Sequence, residues 1–224
     1  MPEPSKRKPA HTAKAFLGLA ELASKLKSVP RTGWLDRGVP PLQVESVADH
    51  SVGVALLAWG CAIQRRAEGA AIDPDRVLML AILHDFAEAE TGDLTPYDPA
   101  AIPDEQEPAA RRAFLETQHH RDPDRAAAKR AAEDAAVRRL LATLPDAART
   151  KLLEVWDDLR LGASSEARFV KQADRLETFL QSRRYLQIDA TLPMASFRQE
   201  VFESIDDPLL SAIRDAALAD DTPD

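Results

Sequence analysis

Hydrophobic residues recur at helical spacing along most of this 224-residue chain, with breaks at proline, glycine and aspartate. Residues 31–46 carry the Gly and Pro signals of an extended, ordered loop instead. The pattern predicts helices over residues 12–27, 46–68, 73–90, 111–119, 122–144, 145–161 and 164–188, with one or two C-terminal helices after them, the second starting at residue 207. Residues 1–10 are predicted as a flexible tail and residues 11–220 as a single domain.

The predicted helix over residues 73–90 has an unusual composition. Its middle, residues 77–83, is apolar on every face, which is typical of a helix that is buried all round. His84 and Asp85 follow directly, and both side chains need a hydrogen bond, an ion pair or a metal if they are buried. Glu88 comes four residues after His84, on the same predicted helix face, and Asp93 lies in the terminating turn.

Two further helices bring ionisable residues to an apolar face. His50 lies in the first turns of the helix over residues 46–68, and Asp174 borders the apolar face of the helix over residues 164–188. Each residue alone is more often a core or capping group than a ligand. Together, two imidazoles and two carboxylates from three helices form a suitable set for one divalent transition-metal ion.

Composition and charge narrow the class of protein. Eight glycines against sixteen prolines, and only 5% aromatic residues, favour an all-α fold and nearly exclude an all-β one. The formal net charge of -8 disfavours a nucleic-acid polymer as partner but not a small phosphorylated substrate. The single Cys61, predicted to be in the core, excludes a disulfide framework and a cysteine-based zinc site. Without an uninterrupted apolar run of about 18 residues, we expect no membrane partner and a cytoplasmic protein.

The order His50, His84-Asp85, Asp174 resembles the H…HD…D signature of the HD-domain metal-dependent phosphohydrolases. Four blocks, at residues 29–34, 45–51, 84–96 and 165–177, look more narrowly like the branch of the YfbR-like 5′-deoxynucleotidases and their eukaryotic relatives. The resemblance implies an all-α, single-domain HD-type helical bundle. It further implies a homodimer that removes the 5′-phosphate from deoxyribonucleoside monophosphates.

The resemblance also implies roles for individual residues. His50, His84, Asp85 and Asp174 would bind the metal, manganese or cobalt above zinc, iron, nickel or magnesium. Glu88 and Asp93 would be the acidic catalytic residues, with roles that the sequence does not separate. The substrate-binding residues would be Arg31, Trp34, Asp93, Leu94, Thr95 and Pro96. In the family's bacterial members the phosphate-binding arginine directly precedes the tryptophan, whereas here Arg31 lies three residues before Trp34, so Arg37 remains a second candidate for the phosphate.

Some features depart from the family or leave alternatives open. Residues 98–125 look like an insertion, and His119-His120 within it is predicted to be a solvated surface pair. Glu177 and Lys171 could support Asp174 or lie on the surface. Another HD phosphohydrolase, acting on cyclic or hyperphosphorylated nucleotides, is one alternative, although Ala89 after Glu88 departs from the Glu-Asp pair of the alarmone hydrolases. A noncatalytic metal-containing nucleotide-binding protein is the other.

Overall fold

A computed structural model describes residues 9–219, with side chains from Thr12 onward. The helices are α1 (Pro9–Leu26), α2 (Thr32–Asp36), α3 (Val47–Ala67), α4 (Pro74–Leu83), α5 (Glu88–Thr91), α6 (Pro108–Glu116), α7 (Pro123–Leu141), α8 (Asp146–Leu161), α9 (Ser165–Ile188), α10 (Ala195–Ser204) and α11 (Pro208–Ala219). The predicted all-α fold is confirmed. Most of the predicted tail, residues 1–8, and the side chain of His11 lie outside the described residues.

Three helices form the centre of the fold. α3 packs along α4, and both pack against α9, which also contacts α10 and α11. Their small and branched side chains interlock in one apolar core, in which Ala58, Leu80 and Leu176 are fully buried. Cys61 is part of this core, as predicted. The first turn of α3, which holds His50, and the middle of α9, which holds Asp174, are therefore fixed by close packing.

α3 begins at a capping box. The Ser46 hydroxyl accepts from the backbone N–H of Asp49, and the Asp49 carboxylate accepts from the backbone N–H of Ser46. This cap sets the start of the helix four residues before His50. By length and composition α3 could also cross a membrane, although buried helices of water-soluble proteins pass the same test. Here α3 lies against α4 and α9.

The prediction of one helix over residues 73–90 is wrong. α4 ends at Leu83, a turn covers residues 84–87, and α5 begins at Glu88. His84 Nδ1 donates to the carbonyl of Ala81 at 2.7 Å, so the side chain occupies an acceptor in the last turn of the helix. The apolar segment is not buried all round either, because Met79 and Ile82 are exposed.

The predicted loop over residues 31–46 contains the short helix α2. An antiparallel bridge between Pro30 and Ser46 closes its two ends, with Arg31 N–H donating to Glu45 O at 3.1 Å and Val47 N–H to Val29 O at 2.9 Å. The bridge holds Arg31 beside the first turn of α3. The loop is thus tied to the helix that carries His50.

Residues 98–125 pack onto the domain. A 3-10 turn at Pro99–Ala101 leads to α6, which contacts α10. Arg37 Nη2 donates to Leu115 O, and Arg111 Nη2 donates to Asp36 O, each at 3.1 Å. Leu115 is buried. These contacts fasten α6 to the segment that follows Arg31.

Candidate metal centre and adjoining cavity

A cavity of about 810 Å³ opens beside the end of α4 and the middle of α9. This volume is within the range of small-molecule sites, roughly 300–1,000 Å³. The predicted site residues on its wall are Arg31, Trp34, Asp85, Glu88, Asp93, Leu94, Thr95, Pro96 and Asp174. His50 and His84 lie behind Asp85 and Asp174, so the structure brings the whole predicted set to one place.

Four donor atoms converge at the inner end of the cavity. His50 Nε2 lies 3.0 Å from Asp174 Oδ1, 3.3 Å from His84 Nε2 and 3.7 Å from Asp85 Oδ2. His84 Nε2 lies 3.2 Å from Asp85 Oδ2 and 4.0 Å from Asp174 Oδ1. Neighbouring ligands about 2.1 Å from one metal ion are themselves roughly 3–3.5 Å apart. His50, His84 and Asp85 offer atoms that all lie within 4.8 Å of one another, which suits a single ion, and Asp174 Oδ1 adjoins this group from the side of the two imidazoles.

A hydrogen bond at Nδ1 orients each of the two imidazole rings. His50 Nδ1 lies 2.7 Å from Glu177 Oε2, and His84 Nδ1 lies 2.7 Å from Ala81 O. A carbonyl and a carboxylate can only accept, so Nδ1 carries a proton in each ring, and Nε2 is the nitrogen that faces the cluster and is available to a metal. This arrangement is common for histidine ligands of metals.

The electrostatics of the cluster favour a cation. Burial opposes the charged form of His84, but Asp85 and Asp174 outweigh it and raise its pKa to about 9. Burial likewise opposes ionisation of Asp85, yet the pKa of that carboxyl is lowered by His84, His50 and Arg31. Two nitrogen and two carboxylate donors in this negative environment suit a divalent transition ion.

Glu88 stands next to the cluster without joining it. The side chain is 3% exposed, and its pKa is raised well above the ordinary value by burial and then by Asp85 and Asp93. Lys129 Nζ lies 3.6 Å from Oε1. Among the described residues, Oε2 of Glu88 has no hydrogen-bond partner. A buried acceptor of this kind is free to bind a water or a ligand group.

Asp93 fastens the turn after α5 to the loop of Arg31. Its Oδ2 accepts from the backbone N–H of Thr32 at 2.6 Å, and its backbone carbonyl accepts from the Thr32 hydroxyl at 2.7 Å. Leu94 and Pro96 continue this wall with exposed side chains, whereas Thr95 is buried. Asp93 thus holds two cavity walls at a fixed separation.

The two candidate arginines differ sharply. Arg31 Nη1 lies 3.4 Å from Asp85 Oδ2, and Arg31 Nη2 donates to the Thr178 hydroxyl at 3.3 Å, so its guanidinium faces the cluster. Arg37 is buried and directs its donors to Pro193 O, Gly33 O, Tyr97 Oη, Leu115 O and Ser196 Oγ. Arg37 is therefore held by the fold, and Arg31 is the cation available at the cluster.

Trp34 lies in a packed wall of the cavity. It is 1% exposed, its Nε1 donates to Glu45 Oε1 at 2.9 Å, and its ring packs against Tyr185 and Phe197. Its main contacts are thus with the protein. Phe197, which the sequence did not single out, lies beside it on the cavity wall.

The insertion contributes to the cavity wall through residues 117–121. The prediction of a solvated histidine pair is wrong for His119, whose ring packs against Tyr97 and Phe114 and whose Nε2 donates to Phe114 O at 2.8 Å. Arg121 Nη2 donates to Leu94 O at 2.6 Å and bridges the insertion to the turn after α5. His120 lines the cavity with an exposed side chain.

Sequence reasoning left out or left open several residues around the cluster. Glu177 is buried behind His50, which decides between the supporting and surface positions that the sequence allowed. Lys171 is exposed and lines the cavity. Lys129 and Thr178 carried no signal, because a lysine in the alanine-rich α7 and a threonine within α9 look like ordinary helix residues.

The fold and the cluster define a class: an all-α domain with a two-histidine, two-carboxylate centre at the inner end of a cavity. The family model described as "HD domain" matches residues 23–207. The chain belongs to the HD-domain family, which confirms the predicted resemblance.

Individual relatives extend the comparison. The human protein named 5′-deoxynucleotidase HDDC2 is 33% identical over 179 residues, which is 80% of this chain and 72% of the human protein. The Saccharomyces cerevisiae protein named 5′-deoxynucleotidase YGK1 is 27% identical over 173 residues, 77% of this chain and 66% of the yeast protein.

Solved structures agree in fold. A conserved hypothetical protein from Pyrococcus furiosus aligns with a TM-score of 0.65 and 26% identity, covering 91% of this chain and 99% of its own. A structure titled predicted metal-dependent phosphohydrolase from Magnetospirillum magnetotacticum aligns with a TM-score of 0.59, covering 95% of this chain and 93% of its own. At 20% identity, the second supports the fold alone.

Proposed function

We propose that this protein is a metal-dependent phosphomonoesterase that removes the 5′-phosphate from deoxyribonucleoside monophosphates. The observation that carries the proposal is the convergence of His50, His84, Asp85 and Asp174 at the inner end of a nucleotide-sized cavity, with Arg31 beside them. The relatives named 5′-deoxynucleotidase support the same activity and substrate class.

The four converging side chains would hold the ion through His50 Nε2, His84 Nε2, Asp85 Oδ2 and Asp174 Oδ1. A divalent metal supplies Lewis acidity toward a phosphate oxygen and lowers the pKa of bound water. We propose manganese or cobalt as the metal, since a mixed nitrogen and carboxylate set suits these ions. The Nδ1 hydrogen bonds of both histidines keep Nε2 directed at this point.

Glu88 is the group that receives the proton of the attacking water. Its raised pKa makes it a better proton acceptor than an ordinary carboxylate, and its Oε2 has no competing hydrogen bond among the described residues. Asp93 acts by position instead, because its carboxylate is engaged by Thr32 N–H. We thereby assign different roles to Glu88 and Asp93, which the sequence did not separate.

Arg31 binds the phosphate of the substrate. Its guanidinium faces Asp85 and so lies beside the point where phosphate would approach the ion, and a guanidinium matches phosphate oxygens in a forked geometry. Asp93, Leu94, Thr95 and Pro96 form the nucleoside wall, and Trp34 backs that wall through its packing with Phe197. The wall from residues 117–121 closes the cavity on the side of the insertion.

We further propose that the protein is cytoplasmic and forms a homodimer. A buried, unpaired Cys61 is suited to a reducing compartment. The homodimer is implied by the family resemblance.

The test is a phosphate-release screen of deoxyribo- and ribonucleoside 5′-monophosphates, with 3′-monophosphates as controls. Metal-stripped protein should be inactive, and manganese or cobalt should restore release from the 5′-deoxyribonucleotides. Arg31→Ala should raise KM, whereas Arg198→Ala, an exposed cation on α10, should not. Metal-loaded protein that binds nucleotides without releasing phosphate would establish the noncatalytic alternative, and full activity of metal-free His84→Ala would contradict the proposal.

A further inference from the structure

One face of α3 is apolar and exposed along almost its whole length. Val52, Leu56, Trp59 and Ile63 are 37–64% exposed, although the other face of the same helix packs into the core. α4, which packs along α3, adds the exposed side chains of Met79 and Ile82. No element within residues 9–219 covers these side chains. A soluble domain rarely exposes so continuous an apolar stripe unless it is a binding surface.

The spacing of the stripe is that of a helix-pairing seam. Its four side chains alternate steps of four and three residues, which keeps them on one side of an α-helix and is the pattern by which two helices interlock. Continuing the same steps outward reaches Asp49 at the start of α3 and Arg66 at its end. The seam therefore has an apolar centre with one acidic and one basic end.

The seam of one copy can pair with the same seam of a second copy that runs in the opposite direction. If two copies of α3 cross antiparallel about a two-fold axis between Leu57 and Ala58, Leu56 of each copy meets Trp59 of the other, and Val52 meets Ile63. The same register places each Asp49 opposite an Arg66. A two-fold interface requires this kind of self-complementarity.

Both end charges are accessible for such a pairing. Asp49 is exposed and uses Oδ2 for the α3 cap, while Oδ1 has no partner in the described part of the chain. The Arg66 side chain is 62% exposed and has only a distant contact with Asp73, at 3.9 Å. About 25 Å of helix separates residues 49 and 66 in one chain, so they cannot pair within it.

We propose that the exposed face of α3 is the homodimer interface of this protein, formed by antiparallel packing of α3 against α3 of a second copy. The partner is another copy because antiparallel pairing of two α3 helices places Asp49 of each copy opposite Arg66 of the other. A membrane surface rich in anionic lipid would be repelled by Asp49 at one end. The proposal also explains why α3 is apolar on nearly all sides: one face meets the core and the other meets the partner.

Sedimentation velocity of the full-length, metal-loaded protein tests the interface. The wild type should sediment as a dimer. Leu56→Lys, at the centre of the seam, should raise the dimer dissociation constant about 30-fold or more. Leu161→Lys, at an apolar position at the end of α8 that is 74% exposed against 64% for Leu56, is the matched control and should leave the dimer intact. Circular dichroism should show unchanged helix content in both variants.

Charge exchange tests the antiparallel register. Arg66→Glu and Asp49→Lys should each weaken the homodimer, because each puts like charges opposite one another. An equimolar mixture of the two variants should form a heterodimer tighter than either homodimer, which loss of the α3 cap in Asp49→Lys cannot explain. The double variant should likewise regain dimer affinity over both single variants.

Three results would overturn the proposal: a monomeric wild type at about 100 µM, a dimer indifferent to Leu56→Lys, or no gain on mixing the charge variants. In the first case, co-sedimentation of wild type but not Leu56→Lys with phosphatidylcholine–phosphatidylglycerol vesicles would identify a membrane as the occupant.

Discussion

His50 Nδ1 donates to Glu177 Oε2 across 2.7 Å, and this bond determines which nitrogen of the ring faces the cavity. Glu177 is buried on α9, one turn after Asp174, so one helix supplies both a candidate ligand and the group that orients another. The carboxylate also makes the imidazole a stronger donor to a metal. The candidate metal centre therefore depends on Glu177, which is not itself one of the four candidate ligands.

We expect Glu177→Gln to lower metal affinity by about 10- to 100-fold, the range typical of changes to groups that orient a histidine ligand. An amide can still accept from Nδ1 but lacks the negative charge. Isothermal titration of the metal-stripped protein with manganese measures the effect. Glu166→Gln, in the first turn of the same helix, should bind metal like the wild type. Equal affinity of Glu177→Gln and the wild type would show that the charge is not needed.

Gly53 provides an independent test of the same hydrogen bond. A Cβ built at this position of α3 would lie 2.7 Å from Glu177 Oε1 and 3.0 Å from Cδ. Relieving this contact requires the carboxylate to shift, which disturbs its hydrogen bond to His50. We therefore expect Gly53→Ala to reduce metal affinity although it changes no ligand.

The matched control for that substitution is Gly18→Ala in α1, where the added Cβ meets no atom within 4 Å. It should leave metal binding unchanged and raise the free energy of unfolding by about 0.5–1 kcal/mol, the usual gain for Gly to Ala in a helix. If Gly53→Ala binds manganese as tightly as Gly18→Ala does, Glu177 is not confined as the structure indicates.

The residues of the cluster could be singled out from the sequence because a buried charged group needs a hydrogen bond, an ion pair or a metal. His84-Asp85 after an apolar helix, His50 in the first turns of another and Asp174 beside an apolar face each stood out on these grounds. The start of α4 followed from Asp73-Pro74, because Asp73 caps this helix by accepting from the backbone N–H of Asp75. The convergence itself rested on the resemblance to the HD-domain family, because local patterns carry no information on distances between helices.

The features that sequence reasoning missed depend on contacts between distant parts of the chain. The break after Leu83 reflects a side-chain hydrogen bond of His84 that competes with helix continuation. Arg37 has a structural role because its guanidinium donates to acceptors as distant in sequence as Ser196. The exposure of Met79 and Ile82 could not be told from burial, because an exposed apolar side chain and a buried one leave the same pattern in the sequence.

Replacing Glu88 separates proton transfer from metal binding. Glu88→Gln keeps the size of the side chain and removes its capacity to accept a proton, so we expect kcat to fall by about 10²- to 10⁴-fold. Metal content, measured by atomic emission, should stay at the wild-type value because the four converging donor atoms are intact. Glu90→Gln is the control, since Glu90 pairs with Arg139 instead of facing the cavity. Loss of metal from Glu88→Gln would instead make Glu88 a ligand.

Asp158 joins three helices through one carboxylate and should matter for stability alone. It accepts from Ser164 N–H at 2.9 Å and from the Ser164 hydroxyl at 2.7 Å, and it pairs with Arg76 of α4. Burial opposes its ionisation, but these hydrogen bonds outweigh that effect and lower its pKa. The group is 8% exposed, so solvent screens it little.

We expect Asp158→Asn to lower the free energy of unfolding by about 1–3 kcal/mol at pH 7, as for other buried, charge-assisted hydrogen bonds. Because the folded-state pKa is depressed, the contribution is present above the ordinary pKa near 4 and is lost as the pH falls through the folded value. Urea titrations should therefore show the gap between wild type and variant narrowing below about pH 4. Asp157→Asn, whose exposed side chain pairs with Arg138, should cost no more than about 0.5 kcal/mol. A pH-independent gap would mean that the charge of Asp158 does not stabilise the junction, and that its shape alone holds α4, α8 and α9 together.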